Sequence, residues 1–382
     1  MAKKTNTKSN DKSTSTGSKK AGKKSGKGPD ASPGRTLSRL EEKIVNLLQE
    51  HAIASLQVGT DRPLEADKRF AKLVSVDRAQ HLASKKKGPL DDKCVQAIFR
   101  ELVSAERALL QPIRVAYLGP AHSYSHLATL QHFGRSAELI PVGSIATVFE
   151  EVAQERSQWG VVPIENSTDG RIVDTLDMFT KMSVNICGEV PFPIHHNLLG
   201  SGTREEITEI GSKPQAISQC RDWLARHMPG AKLVSMSSTT AAAERAAASK
   251  HVAAIASHEA GVEYNLKVLA KNIEDNKHNV TRFAVIGGEP KKKTGNDKTS
   301  LMFELKHAPG ALANAMTIFK SKKLNLTWIE SFPKPDSPSE YLFFVELVGH
   351  QTESRVKRAI ESLTKKTVRL EVLGSYPMGE QP

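Results

Sequence analysis

The chain has 382 residues, of which 38% are hydrophobic and 25% charged, with a formal net charge of +12. This length indicates two or three domains. The three cysteines, Cys94, Cys187 and Cys220, have no Cys-x-x-Cys spacing, which excludes a disulfide scaffold, a zinc ribbon and a redox dithiol. Because no apolar run approaches about 18 residues, we expect no membrane span. No signal peptide is apparent either, so we expect a cytoplasmic protein.

Residues 1–34 carry most of the net charge. Nine lysines stand against Asp11 and Asp30, which accounts for seven of the twelve positive charges, and no large apolar residue follows Met1. Such a segment cannot bury a core, so we predict a disordered Lys-rich tail. A nucleic-acid arm is one reading of it. We favour a solubilising tail and expect no nucleic-acid partner.

Residues 35–112 are predicted to form a small helical domain. Apolar residues recur with helical spacing from Leu37 onwards, and a second helix is predicted over 91–111, ended by Pro112. A weaker helical region covers 70–83. The first apolar stripe consists of Leu40, Ile44, Leu47, Leu48 and His51, and the second of Val95, Ile98, Phe99, Leu102, Glu106 and Leu109. His51 and Glu106 are either separately satisfied or paired across the bundle. A unit this thin should need a partner.

From residue 113 to 288, short apolar strands alternate with helices. The pattern predicts strands over 114–118, 160–164, 253–256 and 283–286, and favours a mostly parallel sheet covered on both faces. In such sheets ligands bind at the carboxyl ends of strands. Polar residues cluster at those ends, at 123–125, 165–167 and 237–240.

These polar clusters allow two interpretations. Ser123, Ser238 and Thr239 at helix starts are either N-caps or, with the amides behind them, part of a carboxylate site. Arg282 beside Thr281 suits an anionic substrate whose leaving group is a hydroxyl. The region shows no metal-ligand cluster and no phosphate-binding loop, so we expect neither a metal nor a cofactor.

A polar linker over 289–298 precedes a third region, 299–377. Its elements follow the order βαββαβ, which predicts a ferredoxin-like unit. The complete chain is therefore predicted to be a multidomain α+β protein. The last unit would serve packing or dimerisation, or bind a small effector at an interface.

At these motifs the chain resembles bacterial bifunctional chorismate mutase/prephenate dehydratases. The dehydratase resemblance covers about residues 113–287. It rests on Gly119-Pro120 with Ser123-Tyr-Ser-His126, on Val161-Val-Pro-Ile-Glu-Asn-Ser167, on Pro214-Gln-Ala216 with Gln219-Cys220, and on Thr281-Arg-Phe283. His122 departs from the family's usual glycine, and we expect an altered loop shape without loss of activity.

The resemblance implies a two-lobed, periplasmic-binding-protein-like α/β domain that converts prephenate to phenylpyruvate, CO2 and water. It assigns catalysis to Thr281 and Arg282. The implied substrate-binding residues are Phe283, Glu165, Asn166, Ser167, Ser123, Ser238 and Thr239. Arogenate dehydratase and a non-catalytic amino-acid sensor remain alternatives. Pairing through the helical unit and through the last unit would give a homodimer or homotetramer.

The last unit is similar to ACT regulatory domains, which implies phenylalanine as effector. The matching motifs are Pro309-Gly-Ala-Leu312 and Leu324-Asn-Leu-Thr-Trp-Ile-Glu-Ser331. The implied effector-binding residues are Gly310, Ala311, Leu312, Asn325, Glu330 and Ser331. Phe332 replaces the arginine of the family's Glu-Ser-Arg-Pro, which bears on feedback inhibition.

The helical unit is similar to the all-helical chorismate mutase domain. The register places Arg62, Arg78 and His51 in the implied chorismate pocket, with His51 where the family has an arginine. Ala79 replaces an expected glutamate, and Glu106 a serine. Because chorismate is a dianion, losing an arginine and gaining a carboxylate opposes binding. The domain is either an active mutase or a relict.

Overall fold

The computed structural model of the chain describes residues 33–61, 88–110, 112–288, 291–334 and 337–379. The predicted tail up to residue 32 and the helical region over 70–83 lie outside the described residues, as do Arg62 and Arg78. The chain divides into two units, residues 1–54 and 55–382. No helix in the described ranges is long and apolar enough to cross a membrane.

Both N-terminal helices of the described ranges were predicted, with small differences in their ends. Helix α1 (Pro33–Asp61) begins within the predicted tail, because proline suits the first position of a helix, where no N–H bond is needed. The apolar stripe of α1 is solvent-exposed, with 49% exposure at Leu40 and 63% at Leu47.

Helix α2 (Asp92–Leu110) buries only part of the predicted face. Glu106 is buried as predicted, but Ile98 and Leu109 are exposed, and Val103, outside the predicted stripe, is buried. Glu106 Oε2 accepts a hydrogen bond from the Ser55 hydroxyl at 3.0 Å. This bond gives the buried carboxylate a polar partner, as burial requires.

The remaining described chain contains three β-sheets. The strands of the first are β1 (Arg114–Leu118), β2 (Glu138–Val142), β3 (Trp159–Asn166), β4 (Gly170–Arg171), β5 (Ile186–Pro193) and β11 (Val280–Gly287). Those of the second are β6 (Asn197–Gly200), β7 (Glu209–Ser212), β8 (Lys232–Ser235), β9 (Val252–Ala256) and β10 (Lys267–Ala270). The first sheet has the order β2-β1-β3-β11-β5, with β4 beside β3, and the second has the order β10-β6-β9-β7-β8. The helices are α3 (Tyr124–Phe133), α4 (Ile145–Ala153), α5 (Val173–Lys181), α6 (Pro214–Ser218), α7 (Arg221–His227), α8 (Thr239–Ala247) and α9 (His258–Glu263).

The prediction of a mostly parallel sheet is wrong, since both sheets are mixed. The chain leaves the first sheet after β5 through residues 194–196 and returns through 271–279 to β11. Strand β11 then inserts between β3 and β5 and runs antiparallel to both. Periodicity could not show this, because buried strands read as similar apolar runs whatever their direction. The insertion brings the start of β11 beside the end of β3.

The third sheet contains β12 (Asp297–Leu305), β13 (Leu326–Lys334), β14 (Ser337–Val348) and β15 (Thr367–Pro377), in the order β13-β14-β12-β15. With α10 (Ala311–Ser321) and α11 (Ser354–Thr364), its elements have the predicted βαββαβ order. One face packs against these two helices through residues such as Phe303 and Val345.

The other face of the third sheet packs against the first sheet. Met302 and Phe344 share a buried cluster with Ala284 and Ile286 of β11. Strand β15 also approaches β5 so closely that a Cβ atom at Gly374 would lie 1.9 Å from the carbonyl oxygen of Ile186. A side chain at position 374 is therefore excluded, and the contact requires glycine.

Candidate active site

Thr281, at the start of β11, lies beside Asn166 at the end of β3, and both side chains are buried. Asn166 Nδ2 donates to Thr281 Oγ1 at 2.8 Å and to Asn279 Oδ1 at 3.0 Å. Asn166 Oδ1 accepts the backbone N–H groups of Thr168 and Asp169, which fixes the orientation of the amide. Because Thr281 Oγ1 accepts from Asn166, its own hydrogen is directed elsewhere and can be donated to another group.

Gln219, directly after α6, connects this pair to the second sheet. Its Nε2 donates to Asp169 Oδ2 at 2.8 Å, and its Oε1 lies 3.0 Å from Asn279 Nδ2 and 2.8 Å from His196 Nε2. Since the amide nitrogen faces Asp169, the oxygen must accept from His196, whose Nε2 therefore carries the hydrogen. Burial lowers the pKa of His196 below its ordinary value, so the imidazole is neutral at neutral pH.

Tyr124, the first residue of α3, closes the network at its other end. Its hydroxyl donates to the carbonyl oxygen of His195 at 2.7 Å and lies 3.1 Å from His196 Nδ1. A chain of hydrogen bonds links, in order, His196, Gln219, Asn279, Asn166 and Thr281, and the Tyr124 hydroxyl lies against its His196 end.

The sequence motifs indicate only part of this network. They contain Tyr124 and Gln219 but imply no site role for either, and Asn279 and His196 lie outside them. Gln219 carried a sequence signal, because it belongs to one of the motifs on which the resemblance rests. His196 carried no such signal, because its role depends on lying in the 194–196 connection between the two sheets.

The predicted hydroxyl residues act as helix caps in the structure. Ser123 Oγ accepts from the backbone N–H of His126, and Ser238 Oγ accepts from that of Ala241 at 2.9 Å. Thr239 is buried in the first turn of α8. The N-terminus of α8 thus faces the first sheet, because the neighbouring Thr240 donates to Ala121 O after β1. A helix N-terminus in this position favours a carboxylate nearby.

Two further sequence features have structural explanations in the same region. Ser167 Oγ donates to the carbonyl oxygen of His278 and accepts from the N–H of Val280, so it joins the end of β3 to the start of β11. His122 has a φ of 62°, in the left-handed region that glycine adopts most readily. The loop conformation is therefore the one that glycine favours, with histidine in its place.

Arg282 points away from Thr281, because successive residues of a strand face opposite sides. Its guanidinium donates to Glu165 at 2.7 Å, to Glu189 at 2.9 Å and to both oxygens of Glu346 at 2.7 Å. Burial alone would lower the pKa of Arg282, but the carboxylates outweigh it and raise the pKa. The structure therefore does not bring Arg282 and Glu165 to the Thr281 hydroxyl, beside which the resemblance implies that they contact a substrate.

Phe283 is also not brought to the Thr281–Asn166 pair. Its side chain is 2% exposed and packs with Val115, Tyr117 and Val161 in the core between α3 and the first sheet. The strand period explains this position, since Phe283 lies two residues from Thr281 on the same face but deeper in the sheet. Its predicted role in substrate binding stays a prediction.

Comparisons with known proteins agree with the motifs. The prephenate dehydratase family model matches residues 115–291. A bifunctional chorismate mutase/prephenate dehydratase of Aquifex aeolicus (strain VF5) is 38% identical over 353 residues, which cover 90% of this chain and 96% of the relative. The chain belongs to the bifunctional chorismate mutase/prephenate dehydratase family.

Solved structures extend the comparison. Prephenate dehydratase from Arthrobacter aurescens in complex with L-Phe superposes with a TM-score of 0.65 at 33% identity, covering 70% of this chain and 90% of that chain. GqqA, described as a novel type of quorum quenching acylase, has a TM-score of 0.63 at 28% identity, covering 69% of this chain and 97% of its own. Proteins with this fold are thus named for two different chemistries, so the function must be argued from the site.

The residues implied for the family's mutase pocket are only partly described. His51 lies on α1 and is partly buried. Arg62 and Arg78 lie outside the described residues, and so does Ala79. The proposed chorismate site therefore stays a prediction.

The residues implied for the family's effector site are divided between two regions. Gly310, with a φ of 77°, caps α10, and Ala311 and Leu312 border a shallow cavity of about 130 Å³ together with Tyr341. Ser331 pairs with Phe343, which also lines this cavity.

The other implied effector residues lie elsewhere. Asn325 precedes β13, and its carbonyl oxygen accepts from Val348 N. Glu330 pairs with Phe344 and accepts from Arg171 of β4 at 2.9 Å, on the side of the first sheet. Phe332, which replaces the family's arginine, is buried in the core between the two sheets.

Proposed function

We propose that this chain converts prephenate to phenylpyruvate, with the Thr281 hydroxyl assisting departure of the substrate's ring hydroxyl. The observation that carries the proposal is the 2.8 Å bond from Asn166 Nδ2 to Thr281 Oγ1. It leaves the threonine as a hydrogen-bond donor in a buried polar network that Gln219 extends toward the second sheet. A positioned neutral donor of this kind stabilises charge as it develops on a leaving oxygen.

The reaction balances without a redox partner. The bond between the ring and its carboxylate breaks to release CO2, and its electron pair shifts into the ring. The carbon–oxygen bond at the opposite ring position breaks, and the hydroxyl takes up a proton to leave as water. Because a threonine hydroxyl is a weak acid, Thr281 would donate a hydrogen bond, while solvent supplies the net proton. Formation of the aromatic ring drives the reaction.

Substrate carboxylates need positive or N–H partners, and Arg282 is already occupied by three carboxylates. The N-terminus of α8, capped by Ser238 and joined to the first sheet by Thr240, supports binding of one carboxylate. No cofactor is required by this scheme. Within the described residues, no group of three or more His, Cys, Asp or Glu side chains could hold a metal ion.

Acylase chemistry fits the site less well. A threonine nucleophile needs a general base that accepts its proton. In the described structure, the hydrogen-bond partner of Thr281 Oγ1 is an amide that donates, and His196 is reached only through Asn166, Asn279 and Gln219. This arrangement supports a donor role for the hydroxyl.

The test is incubation of the purified chain with prephenate, with arogenate and with an N-acyl homoserine lactone. We expect phenylpyruvate from prephenate, and a fall in kcat of about 10²-fold or more for Thr281→Ala. Turnover of arogenate alone would favour the arogenate alternative, and binding without turnover would favour an amino-acid sensor. Near-normal turnover by Thr281→Ala would overturn the assignment.

We further propose chorismate mutase activity in the N-terminal helices and phenylalanine feedback through an ACT-type third sheet. The family names support the first, and the L-Phe complex of the A. aurescens protein supports the second. Assays with chorismate and with prephenate, each with and without phenylalanine, test both. Sedimentation of the same samples measures whether the chain is a dimer or a tetramer.

A further inference from the structure

A buried charge cluster lies directly behind the Thr281–Asn166 pair. Arg282 directly follows Thr281 in β11, and Glu165 directly precedes Asn166 in β3. The side chains of Arg282 and Glu165 point to the opposite face of the sheet from the Thr281–Asn166 pair. The Glu189, Glu346 and Lys298 side chains complete the cluster, with exposures of 2%, 1% and 7%. Charges this deeply buried are only weakly screened by solvent, so each constrains the others strongly.

The third sheet supplies two members of this cluster. Glu346 of β14 receives both bonds from one Arg282 nitrogen, and Lys298 of β12 lies 3.0 Å from Glu189 of β5. Tyr376 of β15 adds a hydrogen bond to Glu346. The first sheet alone therefore does not complete the coordination of Arg282.

The composition of the cluster excludes a substrate-anion site. Three carboxylates stand against two cations, so the ionised cluster has a net charge of −1. A substrate carboxylate would add a fourth negative charge to a buried region that already has an excess of one. Such a group would be repelled rather than bound.

A second contact from the third sheet reaches β4, which pairs with β3. Arg171 Nη1 donates to Glu330 Oε2 of β13 at 2.9 Å. Arg171 lies in β4, which pairs with Glu165 and Asn166 at the end of β3. Both polar links from the third sheet thus converge on the backbone that carries the Thr281–Asn166 pair.

We propose that Arg282 is a positioning residue, through which Glu346 and Lys298 of the third sheet hold Thr281 against Asn166. The inference rests on the proposed dehydratase function. Because Arg282 and Thr281 are adjacent in one extended strand, a displacement of the guanidinium is passed to the Thr281 backbone. A misplacement of about 1 Å at a reacting group can reduce turnover about 10²-fold.

The experiment compares Glu346→Gln with Glu371→Gln in prephenate dehydration. Glutamine keeps the size of Glu346 and one acceptor but removes its charge. The control removes a carboxylate of the same sheet that pairs with Arg369 and lies outside the cluster. We expect Glu346→Gln to lower kcat about tenfold or more with KM changed by less than about twofold, and the control to match wild type.

A double-mutant cycle tests whether the effect passes through the Thr281 hydroxyl. In a Thr281→Ala background, Glu346→Gln should cause no further loss, because the group that it positions is already gone. Equal losses in both backgrounds, or an unchanged kcat for Glu346→Gln, would refute the inference. Arg282→Lys, which keeps the charge but loses the planar fork, replaces Glu346→Gln if that variant does not fold. A wild-type chain inactive on prephenate refutes the proposed function itself and this inference with it.

Discussion

A Gln219→Glu variant tests the hydrogen-bond chain that ends at Thr281, because the chain predicts whether the activity of the variant rises or falls with pH. Gln219→Glu keeps the oxygen that accepts from His196 and Asn279, but replaces the nitrogen that donates to Asp169 Oδ2 at 2.8 Å. Two carboxylate charges about 4 Å apart repel by about 1–4 kcal/mol at effective dielectric constants of about 80 to 20. Asp169 is exposed, so the lower part of that range applies. The repulsion raises the pKa of the introduced carboxyl by about one unit above its ordinary value of about 4.3.

The direction of the change in kcat/KM with pH depends on the protonation of the introduced carboxyl, because only the protonated form can donate a hydrogen bond as glutamine does. Below the raised pKa the introduced carboxyl is protonated and can donate to Asp169, so the variant should approach wild-type kcat/KM. Above that pKa the two carboxylates separate, and His196 and Asn279 lose their fixed partner. We expect a deficit of about tenfold near pH 7 that shrinks toward about pH 5.

The assay is the initial rate of phenylpyruvate formation between about pH 5 and pH 8, with the uncatalysed rate subtracted at each point. Gln219→Met is the matched control, because it has no titrating group and should show a deficit at every pH. A Gln219→Glu deficit that is constant with pH, or that grows toward acid, would refute the proposed contact between residues 219 and 169.

Two further predictions concern residues whose roles the resemblance implies, Phe283 in the dehydratase region and His51 with Ala79 in the mutase-like helices. Phe283→Leu should lower the free energy of unfolding by about 1–2 kcal/mol, measured by urea denaturation, because the ring lies in the core. Its KM for prephenate should stay within about twofold of wild type, and a large rise in KM with unchanged stability would restore its role in substrate binding. For the mutase, His51→Arg with Ala79→Glu should raise turnover of chorismate, because the change restores the positive charge that a dianion requires and the glutamate that the resemblance implies at position 79. A wild-type chain already as fast as the double variant would show that the charge argument is wrong.

Strand β11 carries both Thr281 and Arg282, which stand together in one sequence motif. The resemblance implies that both contact the substrate. The strand period of two already requires that their side chains face opposite sides. It could not indicate which face was the site, because that depended on β11 inserting between β3 and β5 and on the third sheet covering one face.

The hydroxyl residues of the site could be interpreted from the local sequence, whereas Gln219 could not. The cap positions of Ser123 and Ser238 follow from local sequence, since a serine before a helix needs only its own first turn. Gln219 depends on distant partners, Asp169, His196 and Asn279, which come from three other segments. Contacts of this kind carry no local periodic signal.

The sequence by itself determined the family, the order of elements in the third sheet and the motifs that contain Thr281 and Asn166. These properties follow from local composition, periodicity and short motifs. Only the tertiary structure decided the direction of strand β11, the assignment of Arg282 to a buried charge cluster and the continuous amide chain that ends at Thr281. The physical reason is that these features depend on side chains far apart in the chain, whose hydrogen bonds and charges become partners only when the sheets pack together.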